Sequence, residues 1–277
     1  MTDALPSPVP ALAAESAGQP VGEIAIFPLP AFADNYIWLL VRENRAVVVD
    51  PGDEAPVLAA LEARKLHLEG VLLTHHHGDH VGGVAALVRR FPCPVFGPEA
   101  ESITTVDHPL KGQESLTLLG ARFQVWTVPG HTRGHLAYVL EGAGGPALFC
   151  GDTLFGAGCG RLFEGTPAQM AASLARIAAL PPATRIYCAH EYTGRNLVFA
   201  RAVEPDNSAI LERQGAVQAL GEGGEPTVPS TLALELATNP FLRCDAPAVI
   251  AAARAHGATG TDPVSVFTAL RAWRNDF

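Results

Sequence analysis

The apolar run Val71-Leu72-Leu73-Thr74 is followed without a spacer by His75-His76-His77-Gly78-Asp79-His80. No other feature constrains the fold of this chain as much. A short apolar run of this kind predicts a buried strand. The strand should deliver His75, His77, Asp79 and His80 into a tight loop, with Gly78 expected to let the backbone turn. Imidazole nitrogens and a carboxylate suit zinc, iron or manganese. One catalytic ion rarely takes four protein ligands packed so closely, because it keeps a position open for water. The pairs His75/His77 and Asp79/His80 therefore point to two adjacent ions. The ordinary alternative is a polar surface loop rich in histidine, which fits poorly with a cluster set flush against a hydrophobic strand.

Three later segments repeat the pattern of a strand followed by a polar residue. Gln124–Val128 leads through Pro129-Gly130 to His131, Ala147–Cys150 leads through Gly151 to Asp152, and Ile186–Ala189 leads to His190. Taken singly, a histidine is usually a hydrogen-bonded structural residue, and an aspartate after glycine is usually a turn residue. The weight lies in the recurrence, which yields five histidines and two aspartates at strand ends. Counting coordination, His75, His77 and His131 would serve one ion, and Asp79, His80 and His190 the other. Asp152 has two oxygens and would bridge both. A water between two cations should be ionised at neutral pH, since even one zinc lowers its pKa to about 7. Strand-like alternation turns His76 away, and His135 reads as a supporting residue. The residues alone do not separate these last two roles firmly.

At 277 residues the chain can form two domains, or one large domain with an appendage. Its net charge of −9, with no Lys/Arg block, argues against nucleic acid and anionic membranes as partners. No apolar run approaches the roughly 20 residues that span a bilayer. Residues 1–20 are rich in Pro, Ala and Ser with no basic or continuous hydrophobic segment, so residues 1–21 are expected to be a disordered lead-in rather than a targeting signal. Five cysteines without a C-x-x-C pair predict free thiols and a cytoplasmic setting. Cys150 and Cys188 are expected to be buried packing residues. Lysine occurs only at 65 and 111, so arginine supplies nearly all the positive charge.

Strands are expected at 23–28, 36–41, 46–49, 94–97, 115–119, 122–128, 136–140, 147–150 and 185–188, with helices at 54–65 and 83–90. Thr166-Pro167 predicts an N-cap with proline at the first helical position, opening a helix to about Ala179. Beyond about 193 the pattern becomes helical, over 194–203, 207–220, 230–237, 246–256 and 262–275. An α/β region over 22–192 thus precedes a small all-helical region over 193–277.

Thr74-His-His-His-Gly-Asp-His80 fits the H-x-H-x-D-H signature of the metallo-β-lactamase superfamily, with His131, Asp152 and His190 following in its order. Within that superfamily the chain resembles the glyoxalase II (hydroxyacylglutathione hydrolase) family from about residue 22 to its last residue. Asn35-Tyr36, Gly151-Asp-Thr-Leu-Phe155, Gly158-Cys-Gly-Arg161, His190-Glu-Tyr-Thr193, Val203-Glu-Pro-Asp-Asn207 and the terminal Arg271-x-x-Arg274-Asn-Asp-Phe277 carry the likeness.

The resemblance implies an α/β (α+β) fold, an αββα sandwich with a small helical C-terminal domain, and two divalent ions between its sheets, zinc first and iron or manganese as alternatives. It implies hydrolysis of S-D-lactoylglutathione to glutathione and D-lactate, the second step of methylglyoxal detoxification, by a hydroxide bridging the ions and oriented by Asp79. The expected partner is that small-molecule thioester, with no nucleic acid or membrane, and the chain is expected to be a monomer. A thiolate with a solution pKa near 8.5 leaves with little acid assistance, and no G-x-S-x-G elbow is present. Glutathione contacts carry over to Arg161, Phe163, Tyr192, Arg271 and Arg274. The family often has lysine at the positions of Arg161 and Arg274 and tyrosine at that of Phe163. The arginines keep the charge in a fork-shaped form, whereas Phe163 lacks the phenol hydroxyl. Arg271 and Arg274 stand three apart on a predicted helix and share a face, which answers the repulsion between a chain of charge −9 and a ligand with two carboxylates.

A single-iron persulfide dioxygenase of the same superfamily is the nearest rival, and a lactone hydrolase would not need the terminal arginines. A non-catalytic metal-binding protein would ordinarily have lost a ligand, and none is missing.

Overall fold

The structure, a computed structural model, describes residues 19–142 and 145–277. A seven-stranded sheet comprises β1 (Gln19–Val21), β2 (Ile24–Ala31), β3 (Asn35–Arg42), β4 (Arg45–Val49), β5 (His67–Leu72), β6 (Val95–Pro98) and β7 (His108–Leu110), in that spatial order. A second sheet takes β8 (Ser115–Leu118), β9 (Ala121–Thr127), β10 (Leu136–Leu140) and β11 (Ala147–Gly151). After a ribbon of β12 (Leu154–Phe155) and β13 (Gly158–Cys159), it is completed by β14 (Arg185–Cys188) and β15 (Ser230–Thr231), in the order β15-β14-β11-β10-β9-β8.

Alternation along the strands explains the layering. On β3, Tyr36, Trp38 and Leu40 pack into a core shared with Phe123, Val125, Tyr138 and Phe149 of the second sheet. Ile37 and Leu39 point the other way, against Val57 and Leu61 of α1 (Glu54–Arg64). Both faces of β3 and β4 are therefore covered, which is why their sequences are continuously apolar. The short α2 (Gly78–Val81) and then α3 (Val84–Arg90) follow β5. On the far side, α4 (Pro167–Ala178) packs Met170, Leu174 and Ile177 into the same core as the second sheet. The predicted cap is present, since Thr166 and Gln169 form a reciprocal capping box.

The C-terminal helices are α5 (Thr193–Val203), α6 (Ser208–Gly223), α7 (Leu232–Thr238), α8 (Pro247–Ala255) and α9 (Pro263–Asp276). Val249, Ala253, Val266, Phe267 and Leu270 from α8 and α9 belong to one apolar cluster with α4 and the second sheet. This region is not purely helical. Ser230–Thr231, expected to lie in a helix, pairs antiparallel with β14, and the helix starts only at Leu232.

Three further expectations need correction. Of the lead-in over 1–21, residues 1–18 lie outside the described residues, and Gln19–Val21 pairs with Ile24–Ile26. The strand before the histidines starts four residues earlier than expected and ends at Leu72, because its pairing with β4 begins at His67. Gly78 makes no unusual turn. It opens the single-turn helix α2, and open space lies where a side chain would be. Close approach instead requires glycine at Gly52, in the turn after β4, where a Cβ would overlap the carbonyl of Asp79, and at Gly82 and Gly83, which pack on the same turn.

Candidate metal centre and adjoining cleft

Strand direction assembles the site. β4 and β5 run parallel, as do β11 and β14, and β9 is related to β11 through the antiparallel β10. Within each sheet these strands consequently end at one edge. The two edges are joined directly: Leu136 N–H donates to the Thr74 carbonyl at 2.8 Å, and Tyr36 N–H to the Ala189 carbonyl at 2.7 Å. Residues that follow β5, β9, β11 and β14 meet there.

All seven expected residues converge. Three overlapping groups, His75/His77/His131, His75/His80/Asp152 and Asp79/His80/His190, each keep their ligand atoms within 4.8 Å of one another. His77 Nδ1 lies 3.0 Å from both His75 Nε2 and His131 Nε2. On the other side, His80 Nε2 is 3.4 Å from Asp79 Oδ2, and His190 Nε2 is 3.5 Å from the same oxygen. Asp152 lies between the groups, with Oδ1 3.3 Å from His190 Nε2 and 3.5 Å from His80 Nε2, and Oδ2 3.4 Å from His131 Nε2. Ligand atoms held about 2.05 Å from one ion at tetrahedral angles stand about 3.3 Å apart. The observed spacing fits that arrangement.

The proton positions agree. His131 Nδ1–H donates to the Arg161 carbonyl at 2.8 Å, His190 Nδ1–H to Asp34 at 2.9 Å, and His80 Nδ1–H to Asp50 at 3.1 Å. Thr74 gives its hydroxyl hydrogen to Asp50 at 2.7 Å, so its oxygen accepts from His75 Nδ1–H at 3.0 Å. Each of these four rings is thereby oriented with Nε2 facing inward and its lone pair available. His80 Nε2 and Asp152 Oδ1 are buried without a hydrogen-bond partner. Such orphaned polar atoms are costly unless a cation takes them.

Electrostatics point the same way. Burial holds the pKa values of His75 and His131 down, which keeps their imidazoles neutral. Burial opposes charge on His80 and His190 too, but Asp152 with Asp50 at the first, and Asp152 with Asp34 at the second, outweigh it and push both up, His190 to about 9. A divalent cation would take the place of those protons at Nε2. Asp79 is held well down, chiefly by its contact with His80, and burial of Asp152 is outweighed by His190 and His80.

His76 points away, between Glu101 at 2.8 Å and Glu164 at 3.3 Å. His135 lies flat against His75, with centroids 4.6 Å apart, and its Nε2 accepts the Asp152 backbone N–H at 3.2 Å. Cys150 and Cys188 are fully buried, and burial raises both thiols above their ordinary pKa.

A cleft of about 420 Å³ opens beside the cluster, lined by His131, Asp152, Arg161, Phe163, Tyr192, Arg271 and Arg274 among others. All five expected contact residues are there. The Tyr192 ring stacks on His190 at 4.8 Å, and Phe163 stands edge-on to His131 at 5.2 Å. Arg271 is buried, with Nη1 donating to the Cys159 carbonyl at 2.9 Å. The cleft also holds Arg195 and Asn196, which sequence reasoning missed because they read as ordinary residues in the first turn of a helix. Asp34, Asn35 and Asp50 were missed as supports for the cluster. Asp50 did carry a signal, since it ends the apolar run of β4 just as the candidate ligands end theirs. It adopts φ 51°, a left-handed conformation that aspartate tolerates.

The model of the family described as the metallo-beta-lactamase superfamily matches residues 32–190, and that described as the hydroxyacylglutathione hydrolase C-terminus matches 191–277. A hydroxyacylglutathione hydrolase of Dechloromonas aromatica is 58% identical over 263 residues, covering 90% of this chain and 98% of that protein. Among solved structures, the BLEG-1 B3 metallo-beta-lactamase aligns with a TM-score of 0.59 at 25% identity, over 79% of this chain and 99% of its own. A protein described as solved in a di-iron-bound form aligns with a TM-score of 0.54 at 28% identity, over 78% and 99%.

Proposed function

Because the chain belongs to the hydroxyacylglutathione hydrolases of the metallo-β-lactamase superfamily, we propose that it hydrolyses S-D-lactoylglutathione to glutathione and D-lactate at the histidine–aspartate cluster. One observation carries the reading: the two oxygens of Asp152 face two different histidine groups, at the floor of a cleft walled by arginines.

His75, His77 and His131 would hold one divalent ion, and Asp79, His80 and His190 a second, with Asp152 shared between them. Zinc suits this donor set best, and iron or manganese is also accommodated. When bound, such ions polarise a carbonyl oxygen and acidify water, supplying both electrophile and nucleophile. The chain's own residues do the rest. Asp50, Asp34, Thr74 and the Arg161 carbonyl fix the ring orientations. Asn35 donates to Asp79 Oδ2 at 2.9 Å, which aims that carboxylate at the space between His80 and His190 and lets it orient the attacking water. Arg161, Arg271 and Arg274 bind the glutathione carboxylates, Tyr192 and Phe163 flank the thioester, and the departing thiolate needs no dedicated acid.

No helix among the described residues is long and apolar enough to cross a membrane. We read the chain as a cytoplasmic monomer acting on a small thioester, a reading supported by its free cysteines and the open cleft beside the cluster.

The test is metal analysis of purified protein together with thioester hydrolysis. About two ions per chain with turnover of S-D-lactoylglutathione is the expected result. Metal-replete protein that leaves this thioester intact would sink the proposal. Oxygen uptake with glutathione persulfide by protein holding a single iron would favour the dioxygenase reading instead.

A further inference from the structure

Arg195 is the third residue of α5, one turn beyond the Tyr192 that stacks on His190. It lines the cleft together with Arg161, Arg271 and Arg274. Among the described residues none of these four pairs with a carboxylate. Among the described residues the only acid lining the cleft is Asp152, which is engaged by the histidines. Four guanidinium groups around one cavity, in a chain of net charge −9, form a local positive field that favours an anionic ligand.

The donors available to such a ligand are unequal. Arg271 spends Nη1 on the Cys159 carbonyl and Nη2 on Asn275, and its Nε is buried without a partner. Arg274 gives one Nη2 to Asn196 at 3.4 Å, and its own pKa is pushed down by burial and then by Arg271, Arg161 and Arg195. Arg195 is exposed at the cleft, and among the described residues no hydrogen bond or ion pair occupies its fork. A glutathionyl group brings two carboxylates, each able to accept two parallel N–H bonds. Arg271 and Arg274 spend donors on the protein, whereas Arg161 and Arg195 are the exposed arginines of the cleft, which leaves Arg195 free to add a fork to a carboxylate held by Arg274.

We propose that Arg195 is an additional substrate-binding residue, pairing with one of the two glutathione carboxylates beside Arg274; this rests on the glutathione thioester being the substrate. An idle surface arginine at this position would be the alternative. Its location inside a four-arginine cleft with no competing acid argues against that.

The test compares wild type with Arg195→Ala and Arg195→Lys on S-D-lactoylglutathione and on two analogues. One analogue has the glycyl carboxylate converted to an amide, and the other has the γ-glutamyl α-carboxylate removed. Arg201→Ala, on the last turn of the same helix, controls for loss of charge alone. The expected result is a KM about three- to fivefold higher for Arg195→Ala, the upper part of the range for an exposed ion pair, with kcat little changed. Arg195→Lys should recover part of the loss, and Arg201→Ala should leave KM unchanged. The penalty should vanish against the one analogue that lacks the partner carboxylate. An unchanged KM in Arg195→Ala, or a penalty that persists against both analogues, overturns the inference. Wild type inert toward the parent thioester is a separate outcome, which refutes the functional reading.

Discussion

Asp50 accepts a hydrogen bond from His80 Nδ1 at 3.1 Å, through the same carboxylate oxygen that accepts the Thr74 hydroxyl at 2.7 Å. One buried carboxylate thus sets the ring of His80 directly and that of His75 through Thr74. Replacing it with alanine releases two candidate ligands at once. Asp50→Ala is expected to weaken metal affinity about 10- to 100-fold. Chelator competition would measure this, and wild-type affinity would show that these rings need no such support.

Asp152 is placed to be shared between the two groups. Asp152→Ala should lower both bound metal and kcat severely, by about a thousandfold in rate if both ions depend on it. Two retained ions with near-normal turnover would remove the bridge from the account.

The two terminal arginines should behave differently. Arg274→Ala is expected to raise KM for glutathione thioesters about tenfold, with little change in kcat. Arg271 also ties α9 to the Cys159 carbonyl through a buried bond, so Arg271→Ala should raise KM and lower the melting temperature as well. Its loss leaves a buried carbonyl unpaired, at a cost of about 1–3 kcal/mol. Equal melting temperatures for the two variants would contradict this division.

Phe163 stands exposed at the cleft, edge-on to His77 and His131. Phe163→Tyr adds a hydroxyl without displacing packed atoms. If that hydroxyl reaches glutathione, KM should fall about two- to fivefold, the worth of one exposed hydrogen bond. Steady-state kinetics decide it, and a higher KM would place the ring elsewhere in the complex.

Stability of the metal-free chain should peak near the unperturbed histidine pKa of about 6.5. Burial holds His75 and His135 well below their ordinary value, so stability is lost as the pH falls through that region and the unfolded chain binds protons. His80 and His190 have the opposite sign. Their contribution is complete below the unfolded pKa and is lost as the pH rises toward about 9, the value for His190. A divalent ion excludes those protons, so added metal should abolish the alkaline loss. Melting temperatures from about pH 5 to about pH 9.5, with chelator and with zinc, would reveal it. A chelated protein whose melting temperature holds steady across the alkaline range would refute the assignment.

The seven converging residues were legible in the sequence, because each lies just after an apolar run that reads as a buried strand, and strand ends put their next residues at an edge. The helix opened by Thr166 and the pattern of most strands were legible for the same local reason. The supports behind the rings were not. Asp34 lies 156 positions from the His190 it orients, Asn35 lies 44 from Asp79, and Asp50 lies 30 from His80. Such pairings depend on how the two sheets stack and which edges meet, and no local pattern encodes that. The same holds for Gly52, whose missing side chain matters only because Asp79 passes over it, and for Arg195, which becomes part of a cleft only once α5 and α9 stand beside β13. Periodicity told where side chains point; only the packed fold decided what they point at.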